Sequence, residues 1–325
     1  MDWISLREGS PAPTNSKEKF VHGAGITLFA WRVVSKRVTA YIVDDLGRVP
    51  FMPQSSRSLT RVLIVALACL AMPVVVLSAD DVPLTREQIK VFLQTAKVIK
   101  EEPSSKGVTH PTRLTLSDGT ITHDASFQAI DEHASEKKFE SGKLEFSFVD
   151  SYKYNIAAYQ ISELLGVEDM LPVYVERKWK GKTGSISWWL PVKMDEAERL
   201  EKKIAAPDSD RWNKQMYRIR VFDELVYDTD ANLTNVLIGE DWTLWRVDFS
   251  RAFRFTKDLH DPKNLVKCDR QLFERLKNLK ADELAEKTKH YLTKTEVNGL
   301  MGRRDKIVAT FQTLIAQKGE QEVLY

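Results

Sequence analysis

Two polar residues at the ends of a predicted β-hairpin have the types and spacing for binding a metal ion. Asn235 directly precedes an apolar strand, and Asp248 directly follows the returning strand, with a tight turn at 239–241 between them. Because the two strands of a hairpin run back alongside each other, Asn235 and Asp248 are expected to be near neighbours. An amide oxygen and a carboxylate suit a hard cation such as Mg²⁺ or Mn²⁺.

Asp230 has the type and spacing of a general base next to these two residues. Four residues separate it from Asn235, so its carboxylate can face the space between Asn235 and Asp248. There it could accept a proton from an attacking hydroxyl group, as a general base does. The pattern Asp-x4-Asn is frequent by chance, and the competing interpretation is a hairpin whose acidic residues are solvated or cap local turns.

The stretch from Asp228 to Phe253 resembles the core of the kinases. In that core four residues separate a catalytic Asp from a metal-binding Asn, and a second metal-binding Asp follows a hairpin. Asp248-Phe249-Ser250 would take the place of the DFG triplet. No His-Arg pair precedes Asp230, so the resemblance is to atypical kinases. These are the phosphatidylinositol 3-/4-kinase-like proteins and, more specifically, the secretory-pathway kinases related to Golgi casein kinase.

The resemblance extends upstream of the hairpin. Residues 146–166 are similar to the small-lobe helix of those secretory kinases, and residues 171–177 to the strand that follows it. In all, the similarity covers about residues 120–255. It implies a two-lobed kinase fold in which Asp230 is the base and the hairpin mouth holds Mg²⁺ or Mn²⁺. ATP or another nucleotide would be the cofactor, and an unknown protein or small molecule the substrate.

The chain departs from this family at two cofactor-binding positions. The family has a Lys on a small-lobe strand and a Glu on the following helix, where this chain has Gln128 and Asn155. An amide pair can keep a hydrogen bond, but it brings no positive charge to nucleotide phosphates. Either catalysis is relaxed or another cation substitutes. The candidate substitutes are Lys137, Lys138, Lys143 and Lys153, and the competing interpretation for each is a solvated surface lysine.

Two arginines close to Asp248 have an open role. Arg251 and Arg254 could contact phosphate, or they could form ion pairs with the helical half of the domain.

The elements that would position these residues are strands in the first half of the domain and helices in the second. This asymmetry favours a two-lobed α+β fold, with an N-lobe at 80–192 and a helical C-lobe at 193–325. The predicted elements before residue 195 are a capped helix from Thr85 to about Lys100, a hairpin at 114–130, a strand at 144–148, a helix at 155–165 closed by Gly166, and a hairpin at 171–190. A second capping box at Thr293 begins the last predicted helix.

The composition is that of a globular protein without a nucleic-acid partner. The chain has 325 residues, of which 43% are hydrophobic and 29% charged, and its net charge is +2. Because the positive and negative charges balance, the electrostatic footprint of a nucleic-acid-binding protein is missing. Of the two cysteines, Cys69 lies in an apolar run and Cys268 is alone in the folded part, so an intrachain disulfide is not expected there.

An apolar run without charges at 62–77 predicts export. Read from Met52, a short basic region, this run and small residues at 76–78 give the layout of a secretory signal peptide over 52–79. Residues 1–51 lack clear periodicity, which favours translation from Met52. If Met1 is the start, the run is a signal anchor and the membrane contact is through 62–79 alone. The alternatives are a buried core helix and a lipoprotein box at 66–69. The export interpretations place residues 80–325 outside the cytoplasm.

Three functional hypotheses follow from these features. The first is an exported kinase-like domain that binds a divalent metal with a phosphorylated ligand and supports phosphoryl transfer. The second is a catalytically inactive pseudokinase that acts as an envelope or extracellular interaction module. The third is a small-molecule phosphotransferase or a nucleotidyl-transferring variant on the same fold. The Gln128/Asn155 pair is the feature that separates the first from the second.

Overall fold

The strands of the first half form an antiparallel sheet whose hairpins follow the predicted turns. We analysed a computed structural model, which describes residues 83–103 and 111–325. The predicted leader, 1–51 and 52–79, lies outside the described residues. The five-stranded sheet has the order β1-β2-β3-β7-β6. Its strands are β1 (Lys97–Pro103), β2 (Thr112–Ser117), β3 (Thr122–Gln128), β6 (Tyr174–Trp179) and β7 (Lys182–Trp188).

The turn between β2 and β3 shows how sequence sets this sheet. Asp118 Oδ1 accepts hydrogen bonds from the backbone N–H groups of Thr120 and Ile121, each at 2.8 Å. Gly119 has a φ of 94°, which a residue without a Cβ adopts at little cost. This local chemistry fixes the register that pairs Ser117 with Thr122. The predicted hairpin is confirmed.

The first helix is shorter than predicted. Helix α1 spans Arg86–Thr95 and begins with the predicted capping box at Thr85. It ends five residues before Lys100, because Lys97 onwards pairs with β2 as strand β1. The guanidinium of Arg177 donates to the carbonyl of Leu93 at 2.6 Å, among the last carbonyls of the helix. Tertiary pairing therefore overrides the helical periodicity of this stretch.

A second, two-stranded sheet leads into the central helix. Strands β4 (Asp131–Lys138) and β5 (Leu144–Ser151) form this hairpin, and β5 runs directly into α2 (Tyr152–Leu165). Ser151 caps the start of α2, and Gly166, with a φ of 64°, ends it. The sequence predicted β5 and α2 but not β4, whose polar residues lack the alternation that indicates a strand.

The second half is mainly helical, as predicted. A three-stranded sheet of order β10-β9-β8 interrupts it, and single-turn 3-10 helices lie at Glu168–Met170, Leu233–Asn235 and Pro262–Asn264. The strands are β8 (Val192–Asp195), β9 (Val236–Gly239) and β10 (Leu244–Arg246). The helices are α3 (Glu196–Glu201), α4 (Ser209–Val226), α5 (Arg270–Asn278), α6 (Ala281–Thr288), α7 (Lys294–Lys318) and α8 (Glu320–Val323).

Helix α7 illustrates why the helical half could be predicted. Thr293 and Glu296 form the reciprocal capping box at its start. Leu300, Ile307 and Phe311 fall on one face at helical spacing and are fully buried. The mixed α+β class is therefore confirmed, whereas the lobe boundary at 192/193 stays a prediction.

Residues 83–103 and 111–325 contain one cysteine and no candidate membrane span. No helix there is long and apolar enough to cross a membrane, and the predicted apolar run at 62–77 lies outside them. Cys268 is buried and carries a free thiol.

Candidate active site

The β9–β10 hairpin brings the predicted metal residues to one mouth. Val236 pairs with Arg246, and the N–H of Val247 donates to the carbonyl of Asn235 at 3.0 Å. Asp248 is the next residue along, so it lies beside Asn235. The hairpin pattern in the sequence predicted that Asn235 and Asp248 are adjacent, and the backbone geometry agrees with this prediction. The role of both residues as metal ligands stays a prediction.

Asp230 lies at the same mouth, on the loop that leads into β9. The Asn235 amide Nδ2 donates to the Asp230 carbonyl at 3.4 Å. Asn232 caps the intervening 3-10 turn, because its Oδ1 accepts from the N–H of Thr234 at 3.0 Å. The side chain of Asp230 is exposed, so its carboxylate is accessible to a hydroxyl group from solvent. Its role as a base stays a prediction.

A buried ionic network beneath this loop holds it in place. Arg246 is fully buried and contacts both Asp223, at 3.1 Å from its Nε, and Asp228 through its Nη2. Asp228 Oδ1 accepts from the N–H of Asp230 at 3.0 Å. The network therefore ties the loop that carries Asp230 to strand β10 and helix α4.

Two carboxylates share the one guanidinium, and this affects their protonation. Burial raises the pKa of Asp228 to about 7, although Arg246 opposes the shift, and the charge of Asp223 adds to it. Burial also raises the pKa of Asp223. Asp228 therefore keeps its proton to a higher pH than an ordinary aspartate does. Sequence reasoning missed the network, since its members lie on three elements that meet only in the folded chain.

Asp248 has an unusual backbone conformation. Its φ is 61°, in the left-handed region that a non-glycine residue enters at a cost of about 1–2 kcal/mol. Its N–H donates to the hydroxyl of Tyr174 at 3.4 Å. Phe249, the next residue, is fully buried and packs edge-on against Phe222, with ring centroids 5.5 Å apart. The chain therefore leaves β10 through a sharply defined bend.

The two amide residues predicted to take the cofactor-binding positions touch each other. Asn155 Nδ2 donates to Gln128 Oε1 at 2.6 Å. Asn155 Oδ1 accepts from the N–H of Phe249 at 2.7 Å. The pair thus keeps a hydrogen bond between β3 and α2, and it reaches the segment that carries Asp248. That either residue contacts a cofactor stays a prediction.

Asp150, near the end of β5, interacts electrostatically with Asp248, and sequence reasoning did not single it out. It is buried, and its Oδ1 has no hydrogen-bond partner within the described part of the chain. Burial raises the pKa of Asp150, the hydroxyl of Ser250 opposes this, and the nearby charge of Asp248 raises it further. Its signal in the sequence was an acidic residue at the junction of a predicted strand and helix.

The described side chains supply only part of a metal's coordination shell, and water or ligand oxygens would complete it. Among residues 83–103 and 111–325, no group of three or more His, Cys, Asp or Glu side chains is placed to hold a metal ion. Asp248, the neighbouring Asp150 and the amide of Asn235 remain. Mg²⁺ is commonly bound through one or two carboxylates, with phosphate and water oxygens filling the other positions. The orphaned Oδ1 of Asp150 fits this pattern.

The candidate substitute lysines differ in their ion-pair partners and in their electrostatic link to the site. Lys137 pairs with Glu132 at 2.7 Å, and its charge lowers the pKa of Asp150. Lys153 binds Asp131 at 2.7 Å. The remaining two, Lys138 and Lys143, are exposed. Lys137 is therefore the candidate with a described electrostatic link to the site.

The two arginines after Asp248 pair with a strand and not with the helical half. Arg251 Nη2 lies 2.6 Å from Glu145 Oε2, and Arg254 Nη2 lies 3.2 Å from Glu145 Oε1. Because Glu145 is on β5, these ion pairs join the segment after Asp248 to the strand-rich half. Of the two alternatives, ion pairs do form, but with a strand and not with the helices, and contact with phosphate stays a prediction.

Comparison with solved structures shows that the chain has a kinase-like fold. Hydra Fam20 with sugar matches at a TM-score of 0.54 and 15% identity, over 75% of this chain and 93% of that one. The Golgi casein kinase matches at 0.54 and 14% identity, over 74% and 77%. Its Mn/ADP-bound structure matches at 0.52 and 13%, over 74% and 78%. The predicted resemblance to Golgi casein kinase is confirmed at the level of the fold.

Sequence comparison adds no closer assignment. No protein-family model and no curated protein sequence matches the chain. Structural likeness at 13–15% identity establishes the fold alone, because one fold hosts many functions.

Proposed function

We propose that the chain is a kinase-like phosphotransferase domain that binds a divalent cation together with a phosphorylated ligand such as a nucleotide. Asp230 would be the base, with Asn235 and Asp248 as metal ligands. The observation that carries the proposal is the hairpin mouth, where the 3.0 Å bond from Val247 to Asn235 sets the two proposed ligands side by side. In support, the Golgi casein kinase, which has this fold, has been solved with Mn/ADP bound.

Charge at the site supports a cation. Asp150 and Asp248 interact unfavourably, and the buried Oδ1 of Asp150 lacks a hydrogen-bond partner in the described chain. An unpaired buried polar atom is costly, and a divalent ion would offset both the repulsion and the missing contact. When bound there, Mg²⁺ or Mn²⁺ would neutralise charge on the transferring phosphoryl group.

The chain's own residues would bind, orient and accept a proton. Asp228 Oδ1 accepts from the N–H of Asp230, which holds the backbone of the loop that carries the exposed Asp230 carboxylate. From there Asp230 takes a proton from the acceptor hydroxyl as it attacks phosphorus. The side-chain amide of Asn235 holds the same loop, because its Nδ2 donates a hydrogen bond to the Asp230 carbonyl.

One observation favours a second candidate, an inactive pseudokinase that serves as an interaction module. The Gln128–Asn155 pair is neutral and internally hydrogen-bonded, so it offers phosphates no positive charge. Under the first candidate Lys137 would supply that charge by leaving its exposed partner Glu132. Under the second, the fold is retained as a binding scaffold without turnover.

We further propose that the domain acts outside the cytoplasm. The signal-peptide layout at 52–79 supports this location. The name of the Golgi casein kinase, whose fold the chain has, is consistent with it.

The decisive variant for the proposed function is Asp248→Ala. The melting temperature of the wild-type protein should rise on adding Mn²⁺ and ADP, since a ligand that binds the folded state stabilises it. At a ligand concentration about a hundred times Kd, this stabilisation is about 2.7 kcal/mol. In Asp248→Ala the increase should vanish. Glu240→Ala, an exposed acidic residue on the turn of the same hairpin, is the matched control and should respond like wild type.

ATP consumption then separates the two candidates. Turnover that Asp230→Ala abolishes supports the phosphotransferase. Metal-dependent nucleotide binding without turnover, for any acceptor tried, supports the pseudokinase. An unchanged melting response in Asp248→Ala overturns the metal site.

A further inference from the structure

The bend at Asp248 needs an explanation, because the residue that should meet the metal is held in a costly conformation. A left-handed φ of 61° at a non-glycine residue persists only where the surrounding structure enforces it. The hairpin ladder does not do so, since its last backbone bond at this mouth runs from Val247 to Asn235. Within the bend, the N–H of Ser250 donates to Asp248 Oδ1 at 3.4 Å, and further restraint comes from outside the hairpin.

Two side chains from the strand-rich half hold successive backbone N–H groups of this bend. The hydroxyl of Tyr174, on β6, accepts from Asp248 at 3.4 Å, and Asn155, on α2, accepts from Phe249 at 2.7 Å. Tyr174 and Asn155 are 7% and 1% exposed. Water therefore cannot easily replace either acceptor, and losing one leaves a buried N–H unsatisfied.

Each acceptor is itself oriented by a second contact. The Tyr174 hydroxyl also bonds the Ser187 side chain, on the adjacent strand β7. Asn155 Nδ2 donates to Gln128, which turns Oδ1 toward Phe249. An amide suits this position because it donates on one side and accepts on the other, which a carboxylate cannot do.

We propose that Tyr174 and Asn155 form a clamp that positions the Asp248 carboxylate for the metal before any ligand binds. The two are positioning residues, and the metal part of the inference rests on the proposed function. Asn155 thereby acquires a role different from the nucleotide contact that the family resemblance implies. The clamp also accounts for the neutral Gln128–Asn155 pair. In this role Asn155 binds the Phe249 N–H and Gln128 orients Asn155, so neither side chain needs a charge for phosphate.

The cleanest variant is Tyr174→Phe, which removes one oxygen and keeps the ring. Asn155→Ala tests the other arm. Tyr154→Phe is the matched control, because it removes a hydroxyl from a buried tyrosine on α2 that bonds Glu296 and not the bend. All measurements use the full-length chain.

Hydrogen exchange in metal-free protein gives a readout that does not depend on ligand. At residue resolution, the amides of Asp248 and Phe249 should exchange about tenfold faster in Tyr174→Phe and in Asn155→Ala, respectively, than in wild type. Exchange at these two amides should be unchanged in Tyr154→Phe.

Binding of Mn²⁺ alone, followed by the spectrum of free Mn²⁺, gives the second readout. We expect Kd to rise about five- to tenfold in each clamp variant and to stay at the wild-type value in the control. Unchanged exchange at both amides overturns the clamp. Faster exchange with unaltered Mn²⁺ affinity also overturns it, because the bend would then not position the carboxylate. If wild-type protein binds Mn²⁺ neither alone nor together with ADP, the proposed function fails, and the exchange data alone decide whether the clamp holds the backbone.

Discussion

At the level of single residues, burial in the Asp223–Arg246–Asp228 network raises the pKa values of both aspartates, which the sequence alone does not predict. Isolated aspartates are ionised at neutral pH. Here burial dominates, and the guanidinium of Arg246 cannot fully stabilise two carboxylates in a site that excludes water. The charge of Asp248 also acts on Asp228 from the hairpin mouth. The loop that carries Asp230 is therefore anchored to a group that titrates near pH 7.

This predicts a pH dependence of stability. The unfolded chain releases the proton of Asp228 near the ordinary pKa of 3.8, whereas the folded protein keeps it up to about pH 7. Raising the pH through this window therefore removes a proton that only the folded state holds, so stability falls. Asp228→Asn keeps an acceptor for Asp230 without the titration. As the pH rises from 5 to 8, the unfolding free energy of the wild type should therefore fall relative to that of Asp228→Asn by about 1–3 kcal/mol.

Urea denaturation at a series of pH values measures this difference. Asp210→Asn, an exposed carboxylate on the same helix as Asp223, is the control and should track wild type. Parallel curves for wild type and Asp228→Asn would contradict the shifted pKa.

At the level of elements, a buried arginine connects helix α7 to the segment after the hairpin. Arg303 is fully buried, and its Nε donates to the carbonyl of Leu225, at the end of α4, at 2.8 Å. Its Nη1 donates to the carbonyl of Arg254 at 2.6 Å and also to that of Thr256. Burial lowers the pKa of Arg303 to about 10. Three backbone carbonyls without a regular ladder partner are thus satisfied by one side chain.

Removing this side chain should be strongly destabilising. Arg303→Met keeps the apolar stem but leaves those carbonyls unsatisfied, so we expect a loss of about 2–4 kcal/mol of unfolding free energy. Chemical denaturation is the measurement. Lys306→Met, on an exposed part of the same helix where Lys306 pairs with Asp258, should change stability by less than about 0.5 kcal/mol. Equal effects of the two variants would refute the anchoring role of Arg303.

At the level of the whole molecule, the cellular compartment determines which ligands the domain can meet. The kinase-like fold is consistent with several compartments, and the export prediction rests on the residues before 80. ATP is the natural nucleotide inside cells, so an exported domain would act in a compartment where its ligand must be supplied. Location therefore bears directly on the choice between phosphotransferase and interaction module.

A fusion of alkaline phosphatase to the C-terminus tests export in a bacterial host. The phosphatase is active only outside the cytoplasm, so the fusion should be active. Placing Arg at both Val65 and Leu70 interrupts the apolar run and should reduce activity at least tenfold, since charge opposes insertion. Ser55→Arg, which adds charge before the run, should leave activity high. An inactive wild-type fusion at normal expression would contradict export.

Much of the fold was predictable because its signals are local. The Thr85 and Thr293 capping boxes, the Asp118-Gly119 turn and Gly166 act within a few residues of chain, so their chemistry is legible in the sequence. The β9–β10 hairpin belongs to the same class. Its pattern was enough to set Asn235 beside Asp248. The same logic failed at Lys97, where a non-local partner strand decided the outcome.

By itself, the sequence determined the hairpin, the residue types at its mouth and the neutral pair at 128 and 155. The tertiary structure decided what surrounds them: Asp150 against Asp248, Arg246 between two buried carboxylates, and the Tyr174 and Asn155 bonds to the bend. The physical reason is that hairpin pairing depends on neighbours in sequence. Burial, unsatisfied polar atoms and shared charges depend on which distant segments contact each other, and these contacts cannot be read from a single sequence.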